Sequence, residues 1–406
     1  MAFFAMPQKG REKMDKIGIF GGSFNPPHIG HLAAARYAAQ TLGLTKLMLI
    51  PSGQTPHKPV PALTATGAQR LAMVRLAFAG EPLAEVSSLE LEREGESFTW
   101  DTVRQIRQEN PDAELYLLLG TDMFRIFHQW KNADQLSREV TLVGMSRGEK
   151  GETEELAAAV ARIEAMGGKA VLLKNPVQTI SSSQVRRLLA FGGGVEFLPE
   201  GLMDYIRREK LYYVGADLKN LPMEQLEPVV VSLLKANRVN HVLGCRDTAV
   251  ELAKRWGADP VDAARAGILH DITKALDGPL QLTLCSAYGK MLDDFSRKYP
   301  KTLHALTGSM VAEKIFGENK TVVSAIEFHT TGKANMNLLE TIIYVADYME
   351  PNRDFPGVDK LRELAFSDIR GALKLGLEMT LEHLVRQGGE VSPASRQALA
   401  YLNAQT

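Results

Sequence analysis

The stretch that most constrains the fold of this chain is the run GGSFNPPHIGH at residues 21–31. It follows an apolar run that predicts a short buried strand, and it leads into a helix rich in small residues from about Leu32 to Leu42. Glycines let the backbone approach a phosphate closely, and a helix N-terminus offers unpaired N–H groups and a partial positive charge. His28 and His31 are three residues apart, so both imidazoles can face the same oxygens. The run therefore predicts a phosphate-binding site, although it matches neither a Walker A loop nor the dinucleotide-binding fingerprint.

Strand and helix signals alternate through the first half of the chain, and only helix signals follow. Apolar runs predict strands at residues 46–50, 114–119, 140–143 and 170–173. Helical periodicity predicts helices at residues 69–79, 99–109, 154–165 and 183–190. This alternation predicts a doubly wound, Rossmann-like α/β domain, in which ligands bind at the carboxyl ends of the strands. The second half predicts an all-helical domain, with helical segments that begin near residues 226, 248, 261, 304, 322, 338 and 373.

These patterns divide the chain into a leader at 1–15, a first domain at 16–214, a linker at 215–222 and a second domain at 223–406. The apolar part of the leader is too short for a secretory signal, and the leader is expected to be disordered. The 47 Lys and Arg nearly balance the 48 Asp and Glu, so no overall basic charge favours nucleic acid or an anionic membrane as a partner. Only two cysteines are present, which fits a reducing cytoplasm, and no apolar run approaches the roughly 18–20 residues of a transmembrane helix. The sequence leaves open whether the chain forms a homo-oligomer.

Polar residues follow several of the predicted strands, where an α/β sheet binds its ligands. A proline-rich loop after the second strand carries His57 and Lys58, two cations placed where a phosphate could lie. Asp122 and Trp130 follow a later strand, where an acid and an indole could orient and stack a flat heteroaromatic ring. A helix cap and a core tryptophan would give the same pattern. A second helix N-terminus, suited to the outer phosphates of a nucleoside triphosphate, carries Ser181, Ser182, Ser183 and Arg186.

Taken together, residues 16–214 resemble the nicotinate-mononucleotide adenylyltransferases, which are nucleotidyltransferases of the HxGH type. The resemblance rests on GGSFNPPHIGH, PxxxxPHK, the segment Ser97-Phe98-Thr99, LGTDMF with a following tryptophan, and ISSSxVR. Because HxGH and ISSSxVR also occur in related enzymes, another phosphate acceptor such as phosphopantetheine is an alternative. The resemblance implies transfer of AMP from ATP, with Mg²⁺, to nicotinate mononucleotide, which gives deamido-NAD and pyrophosphate.

The resemblance also implies roles for individual residues. Those that would hold the triphosphate and neutralise its charge during catalysis are His28, His31, Lys58 and Arg186. Those that would bind ATP are Gly21, Gly22, Ser23, Phe24, His31, Ser182, Ser183 and Arg186. Those that would bind the mononucleotide are His57, Lys58, Thr99, Asp122, Trp130 and Arg147. No protein nucleophile is needed, because the phosphate of the mononucleotide itself attacks the α-phosphorus of ATP.

The helical second half carries six residues of the kind that bind metal ions: His241, His270, Asp271, His304, His329 and Asp347. A lone histidine on a helix is usually a satisfied core residue. The adjacent pair His270-Asp271 is different, since it ends an apolar helix face, where burial of a charged pair is costly without a metal or partner groups. Imidazole and carboxylate ligands suit Fe, Mn or Zn rather than Ca.

The order H…HD…H…H…D resembles the two-metal branch of the HD phosphohydrolases. Three longer segments, HDITK, FHTTG and YVADYMEPNR, are similar to the bacterial diadenosine tetraphosphate hydrolases over about residues 225–400. This resemblance implies cleavage of diadenosine tetraphosphate to two ADP, with two divalent transition metals, Fe or Mn. One metal would be bound by His241, His270, Asp271 and Asp347, and the second by His304 and His329, with Asp271 bridging.

Two further residues of this half, Lys274 and Arg353, are candidates for phosphate contacts, with surface salt bridges as the alternative. The whole half also has an alternative interpretation, as a regulatory module that binds metal and nucleotide without hydrolysis. Metal content and release of ADP distinguish the two interpretations, because a regulatory module would bind metal and release no ADP.

Overall fold

The computed structural model describes residues 14–53, 63–145, 152–174 and 180–405. Within these ranges the chain divides into two compact units. One unit holds the residues up to Arg186 together with Val195–Tyr212, and the other holds Arg187–Gly194 together with the residues from Tyr213 onward. The predicted fold class, an α/β domain followed by an all-helical domain, is confirmed. Of the predicted leader, only Met14 and Asp15 are described. Among the helices that the structure describes, none combines the length and the apolar character needed to cross a membrane.

A parallel sheet is the centre of the first unit. Its strands are β1 (Lys16–Gly22), β2 (Lys46–Pro51), β3 (Ala84–Val86), β4 (Glu114–Gly120), β5 (Thr141–Met145) and β6 (Lys169–Leu173). They lie in the order β3-β2-β1-β4-β5-β6, and every neighbouring pair is parallel. The chain therefore winds outward from β1 to β3, returns to the other side of β1, and continues to β6. The direction switches between β1 and β4, and a doubly wound sheet binds its ligands at the carboxyl ends of these strands.

Both faces of the sheet are covered along β1, β2, β4 and β5, which explains why these strands are largely apolar runs in the sequence. Ile17 and Ile19 of β1 pack into a buried cluster on one face, and Phe20 packs into a second cluster on the other. Strand β4 alternates in the same way, because Leu117 belongs to the first cluster and Leu118 to the second. The strand that was not predicted, β3, has only three residues and no apolar run of its own.

The helices of this unit are α1 (Ile29–Leu42), α2 (Gly67–Ala77), α3 (Thr99–Glu109), α4 (Thr121–Arg125), α5 (Ala133–Glu139), α6 (Glu152–Ala165), α7 (Ser182–Ala190), whose last residues belong to the second unit, and α8 (Leu202–Arg208). Helix α1 begins earlier than predicted, so His28 is its N-cap residue and His31 lies in its first turn. The short helices α4 and α5 were not predicted, because a helix of one or two turns shows too little periodicity.

The second unit is helical throughout the residues described. Its helices are α9 (Met223–Leu233), α10 (Ala236–Trp256), α11 (Pro260–Leu269), α12 (Gly278–Ala287), α13 (Asp294–Lys298), α14 (Leu303–Lys314), α15 (Lys320–Phe328), α16 (Leu338–Met349), α17 (Val358–Ser367), α18 (Ile369–Arg386) and α19 (Pro393–Asn403). Helix α10 packs against α11 and α16, α14 packs against α15, and both α15 and α18 pack against α16. Side chains cap several helices; Asn337, for example, accepts the backbone N–H of Glu340 at 2.9 Å at the start of α16.

Helix α10 is the largest departure from the predicted helices of this half. It begins at Ala236, well before the predicted start at residue 248, and so carries His241. Polar residues interrupt its first turns in the sequence, yet His241, Val242 and Cys245 are all buried. Helices α12, α13, α17 and α19 were not predicted. The packing of α10 against α11 and α16 therefore stabilises a helix of which the hydrophobic periodicity predicts only the second half.

Candidate active sites

The glycine run forms the loop between β1 and α1, beside the point where the strand order switches. His28 is buried, and the ring centroids of His28 and His31 lie 3.7 Å apart. The backbone N–H of His28 donates to Nδ1 of His31 at 3.1 Å. A neutral His31 therefore carries its proton on Nε2, which makes Nε2 a hydrogen-bond donor. The structure thus brings the two predicted imidazoles together at the N-terminus of α1.

Phe24, predicted among the ATP-binding residues, is part of this loop and turns its side chain into the interior. Its side chain is fully buried, with its ring centroid 5.5 Å from that of Phe20 and 5.1 Å from that of His31. Its φ of 47° lies in the left-handed region, which bulky residues seldom adopt. Burial of the whole side chain offsets that cost. Any contact between Phe24 and a nucleotide would therefore come from its backbone.

Asn25 connects the loop to distant parts of the first unit. Its side-chain oxygen accepts the hydroxyl of Tyr212 at 2.8 Å and the backbone N–H of Ala65 at 3.1 Å. Its backbone carbonyl accepts Nη1 of Arg186 at 2.5 Å. Burial raises the pKa of Tyr212, so its hydroxyl stays protonated and can act as the donor. The conformation of the loop is therefore determined by residues far away in the sequence.

Arg70 connects the glycine loop to the loop after β2. Its Nη1 donates to the carbonyl of Ser23 at 2.9 Å, and its Nη2 donates to the carbonyl of Ser52 at 2.7 Å. Burial lowers the pKa of this guanidinium. Sequence analysis missed Arg70, Tyr212 and the supporting role of Asn25. Asn25 stands within the predicted run, but Arg70 and Tyr212 lie in segments that carry no signal of their own.

The serine-rich segment predicted for the outer phosphates also lies against the glycine loop. Helix α7 begins at Ser182, whose hydroxyl donates to the carbonyl of Pro26 at 2.9 Å. Arg186 is buried, and its Nη2 donates to the hydroxyl of Ser183 at 3.1 Å. Burial lowers the pKa of Arg186. Ser182 and Arg186 thus both donate to loop carbonyls, so they support the loop as well as bordering it.

A pocket of about 190 Å³ opens beside the loop. Loop residues 21–23, the end of β4 and the segment 97–100 line it, together with Trp130. Thr99 and Trp130, both predicted to bind the mononucleotide, therefore share one pocket with the glycine loop. The indole N–H of Trp130 is buried and has no hydrogen-bond acceptor within the described ranges. The pocket therefore places an aromatic side chain whose N–H lacks an acceptor beside the phosphate-type loop.

Asp122, also predicted to bind the mononucleotide, is not among the described residues that line this pocket. Asp122 lies in the first turn of α4, and its carboxylate is 3.4 Å from Nη2 of Arg125. His57, Lys58 and Arg147 lie outside the described residues. Their roles stay predictions.

In the second unit, the six residues of metal-binding type converge on Asp271. Its Oδ2 is 3.6 Å from Nε2 of His270 and 3.7 Å from Nε2 of His241. Its Oδ1 is 3.3 Å from Nε2 of His304 and 3.7 Å from Nε2 of His329. Asp347 lies beside the first two of these histidines: its Oδ1 is 3.2 Å from Nε2 of His241 and 3.8 Å from Nε2 of His270. Each oxygen of Asp271 thus faces its own pair of imidazoles, an arrangement that lets one carboxylate contact two ions.

All four imidazoles turn Nε2 toward this centre, because each Nδ1 bonds outward. Three of them bond to the backbone carbonyl three residues earlier: His270 to that of Gly267 at 2.7 Å, His304 to that of Lys301 at 2.9 Å, and His329 to that of Ile326 at 2.7 Å. The fourth, His241, bonds to the carboxylate of Glu350 at 3.0 Å. Such partners hold the proton on Nδ1 and leave the lone pair of Nε2 for a metal.

The protonation states of the buried histidines and of Asp271 also suit metal binding. Burial lowers the pKa of His270 to about 4 and that of His304 to about 3, because the imidazolium form would lose its hydration. Both rings are therefore neutral at neutral pH, the form that binds metals. Burial by itself would raise the pKa of the Asp271 carboxyl, but the imidazoles and Lys274 beside it hold the pKa well below its usual range. Neutral imidazoles with ionised carboxylates are a donor set that fits Fe, Mn or Zn.

Three cations border the centre. Nζ of Lys274 lies 2.8 Å from Nε2 of His304, and Nη2 of Arg353 donates to Oδ1 of Asp347 at 2.6 Å. Arg238, on α10, pairs with Asp271. The two predicted cations therefore pair with groups of the centre rather than with other surface charges. Arg238 was missed, since an arginine one turn before a helical histidine carries no signal of its own.

Glu350 was also missed. Only 1% of it is exposed, and besides His241 its carboxylate accepts the backbone N–H of Asn352 at 2.8 Å. A signal was available, because Glu350 stands inside the segment YVADYMEPNR and directly follows the apolar helix that carries Asp347. A carboxylate at such a place needs a buried partner.

Comparison with known families matches each unit separately. The cytidylyltransferase-like family matches residues 19–188, and the HD domain matches residues 238–352. Each match covers less than half of the chain; the first runs from β1 into α7, and the second from α10 to just past α16.

Similar proteins and a similar solved structure each cover about half of the chain. A protein of Synechococcus sp. (strain JA-3-3Ab), described as a probable nicotinate-nucleotide adenylyltransferase, is 37% identical over 198 residues, which are 48% of this chain and 94% of that protein. A protein of Geobacillus thermodenitrificans (strain NG80-2) with the same description is 38% identical over 200 residues, which are 49% of this chain and 87% of that protein. The crystal structure of a predicted HD superfamily hydrolase involved in NAD metabolism, from Clostridium acetobutylicum, is 37% identical with a TM-score of 0.45, and the match covers 46% of this chain and 99% of that one.

Proposed function

Because the chain belongs to the nicotinate-nucleotide adenylyltransferase family, we propose that its first unit transfers AMP from ATP to nicotinate mononucleotide, a step of NAD biosynthesis. The products are deamido-NAD and pyrophosphate. The observation that carries this proposal is a convergence at the switch point of the sheet. The glycine loop, the imidazole pair and the pocket lined by Thr99 and Trp130 all meet there.

The reaction forms one bond and breaks one. A phosphate oxygen of nicotinate mononucleotide bonds to the α-phosphorus of ATP, and pyrophosphate leaves with the electron pair. The chain contributes alignment and stabilisation of charge rather than a nucleophile. In this proposal Nε2 of His31 donates to an oxygen of the reacting phosphoryl group, and His28 contacts the same triphosphate. The N-terminus of α7, at Ser182 and Ser183, and the positive charge of Arg186 favour the leaving pyrophosphate. Mg²⁺ enters with ATP and shields its phosphates.

The pocket would hold the nicotinate ring. The face of Trp130 can stack on that ring, and its buried indole N–H needs an acceptor, which a carboxylate on the ligand supplies. Thr99 begins helix α3 and lines the same pocket, so the N-terminus of that helix would offer an unpaired backbone N–H group to the carboxylate of the ring. We keep His57, Lys58, Asp122 and Arg147 as proposed contacts to the nucleotides, on the strength of the motif resemblance.

Product analysis of the full chain tests this proposal. We expect ATP, nicotinate mononucleotide and Mg²⁺ to give deamido-NAD and pyrophosphate in equal amounts. Nicotinamide mononucleotide and phosphopantetheine are assayed in parallel as competing acceptors. Adenylylation of phosphopantetheine without reaction of nicotinate mononucleotide would overturn the assignment.

We further propose that the second unit hydrolyses diadenosine tetraphosphate to two ADP. The observation that carries this proposal is the position of Asp271, with each oxygen facing its own pair of imidazoles. Hydrolysis breaks the central anhydride; the oxygen of one water joins one product, and the bridging oxygen leaves with the other. Two ions of Fe or Mn would be bound. The ligands of one would be His241, His270, Asp271 and Asp347, and those of the other would be His304, His329 and Asp271. When bound, such ions would polarise phosphate oxygens and lower the pKa of a water. Lys274, Arg353 and Arg238 would bind the phosphate chain.

Metal content and product analysis test this second proposal. We expect the full chain, loaded with Mn²⁺ or Fe²⁺, to hold two metals and to release ADP alone from diadenosine tetraphosphate. Metal binding without hydrolysis would favour the regulatory alternative, and release of AMP with ATP would overturn cleavage at the central bond.

Replacing Glu350 with glutamine is expected to weaken metal binding by roughly 10- to 100-fold, because the carboxylate behind His241 orients the ring and raises its basicity. Titration with Mn²⁺ measures the change. Glu318→Gln is the matched control, since Glu318 is also buried and pairs with Arg265 at 2.6 Å, outside the centre. We expect that control to lower the melting temperature while leaving metal affinity unchanged. Equal metal affinities in the two variants would contradict the role of Glu350.

A further inference from the structure

A cavity of the helical unit lies next to the end of α16, and among its lining residues only Arg353 has a role above. Its volume is about 510 Å³, within the range of small-molecule sites. One wall is formed by Tyr348, near the end of α16, and by Arg353 and Phe355 in the chain that follows it. Helix α18 forms the other wall, with Met379 and Arg386. We name it the α18 pocket.

The aromatic wall of the α18 pocket is held in place. The hydroxyl of Thr380 on α18 donates to the hydroxyl of Tyr348 at 2.8 Å. The ring of Tyr348 lies parallel to that of Tyr344, with centroids 6.1 Å apart, and edge-on to that of Phe355 at 5.5 Å. Tyr344 is itself fully buried, so it backs the ring of Tyr348 firmly. Fixed aromatic faces of this kind bind flat heteroaromatic rings by stacking, at little cost in side-chain entropy.

Arg353 joins this pocket to the cluster around Asp271. It lines the pocket, while its Nη2 donates to the carboxylate of Asp347 at 2.6 Å and its Nε donates to the carbonyl of the same residue at 2.9 Å. Arg362 fixes the connecting turn by donating to the carbonyls of Met349, Glu350 and Arg353. A ligand in the α18 pocket therefore has one end at a cation that touches a residue of the metal-type centre.

The charges of the pocket favour an anionic ligand at that end. Arg353 and Arg386 are positive, and a single carboxylate, that of Glu382, lies among the lining side chains described, 3.1 Å from Nη2 of Arg386. His383 adds a further ring with hydrogen-bonding nitrogens. Aromatic walls with a cation, Arg353, at the end next to Asp347 match a nucleoside attached to a phosphate chain.

We propose that the α18 pocket binds one nucleoside of a dinucleoside polyphosphate, with its base against Phe355 and Tyr348 and its phosphates passing Arg353 toward Asp271. This inference rests on the proposed hydrolase activity and specifies where its substrate is held. It makes Phe355 and Tyr348 binding residues, whereas the residues around Asp271 carry the reaction. Base recognition and chemistry are thus assigned to separate groups of side chains.

Photolabelling of the full chain with 8-azido-ADP tests the location directly, because peptide mapping separates labels in the two units. We expect label within residues 348–386, which competing diadenosine tetraphosphate removes and which Phe355→Ala abolishes. Phe366→Ala is the matched control, since Phe366 lies on α17, is 37% exposed and does not line the pocket. Label confined to the first unit would overturn the inference, whatever the hydrolysis assay gives.

Kinetics provide the second arm. Phe355→Ala is expected to raise KM for diadenosine tetraphosphate by roughly 5- to 150-fold, the loss for one base–aromatic stack, with kcat nearly unchanged. Inhibition by ADP weakens in parallel, inhibition by pyrophosphate does not, and Phe355→Tyr restores both KM and inhibition. A fall in kcat with KM unchanged would overturn the assignment. If the wild-type chain releases no ADP, the hydrolase proposal fails, and the labelling pattern alone still decides whether the pocket binds a nucleoside.

Discussion

Replacing His31 with asparagine is expected to lower kcat/KM for adenylyl transfer by roughly 100- to 1,000-fold, the usual effect of removing one preorganised donor to developing negative charge. The reason lies in the two nitrogens of the ring. Nδ1 accepts the backbone N–H of His28 at 3.1 Å, so the proton of a neutral His31 is on Nε2 and can be donated to a phosphoryl oxygen. An asparagine can supply an acceptor near the position of Nδ1, but it has no group near the position of Nε2.

Glutamine at the same position is the informative companion. Its amide nitrogen reaches close to the position of Nε2, so we expect His31→Gln to retain more activity than His31→Asn. Thermal unfolding is measured on both variants, because an unchanged melting temperature shows that the cap of α1 survives in His31→Asn. Full activity in His31→Asn would contradict the proposed donor. A large fall in melting temperature would instead show that His31 acts mainly in the fold.

Replacing Asp271 with asparagine is expected to abolish binding of the second metal and to lower hydrolysis of diadenosine tetraphosphate by roughly 10³-fold or more, since metal catalysis supplies several kcal/mol. Asp271 is the residue whose two oxygens face both groups of imidazoles. An amide offers one oxygen and no negative charge, so it cannot serve both groups. Asp347 faces the first group alone, and Asp347→Asn is therefore expected to spare the metal beside His304 and His329.

Metal analysis by mass spectrometry and assays of both activities measure these effects in the same preparations. Asp247→Asn is the matched control, because Asp247 lies on the helix of His241 yet its side chain is 64% exposed and pairs with Arg246. Adenylyl transfer should be unchanged in all three variants, which would show that the first unit is intact. Two metals in Asp271→Asn would be incompatible with a bridging role for this carboxylate.

Much of the fold follows from local pattern. Strands β1, β2, β4 and β5 are largely buried and read as apolar runs, and for this reason they could be predicted from the sequence. The apolar run of β6 was predicted as well, although most of that strand is exposed. Strand β3 could not be predicted, because its three residues are only half-buried or exposed, so they form a strand through their pairing with β2 rather than through an apolar pattern of their own. The sheet order was likewise not predicted, since it depends on how the helices cross its two faces.

The candidate sites show the same division. His28 and His31, or His270 and Asp271, are neighbours in the chain, so their types and spacing already indicate shared chemistry. Arg70, Tyr212 and Arg238 are ordinary residues in ordinary segments. Their roles depend on contacts with residues that are remote in the sequence, as in the hydrogen bond from the hydroxyl of Tyr212 to Asn25.

The sequence by itself determined the class of each half, the phosphate-type loop and the six residues of metal-binding type, because each is encoded in local composition and spacing. Only the tertiary structure decided that the two oxygens of Asp271 face different histidines, that Glu350 stands behind His241, and that Tyr348 and Phe355 form an aromatic wall beside Arg353. Those relations depend on how α10, α11, α14, α15, α16 and α18 pack together. Helix packing brings together side chains whose separation along the chain carries no information about their distance in space.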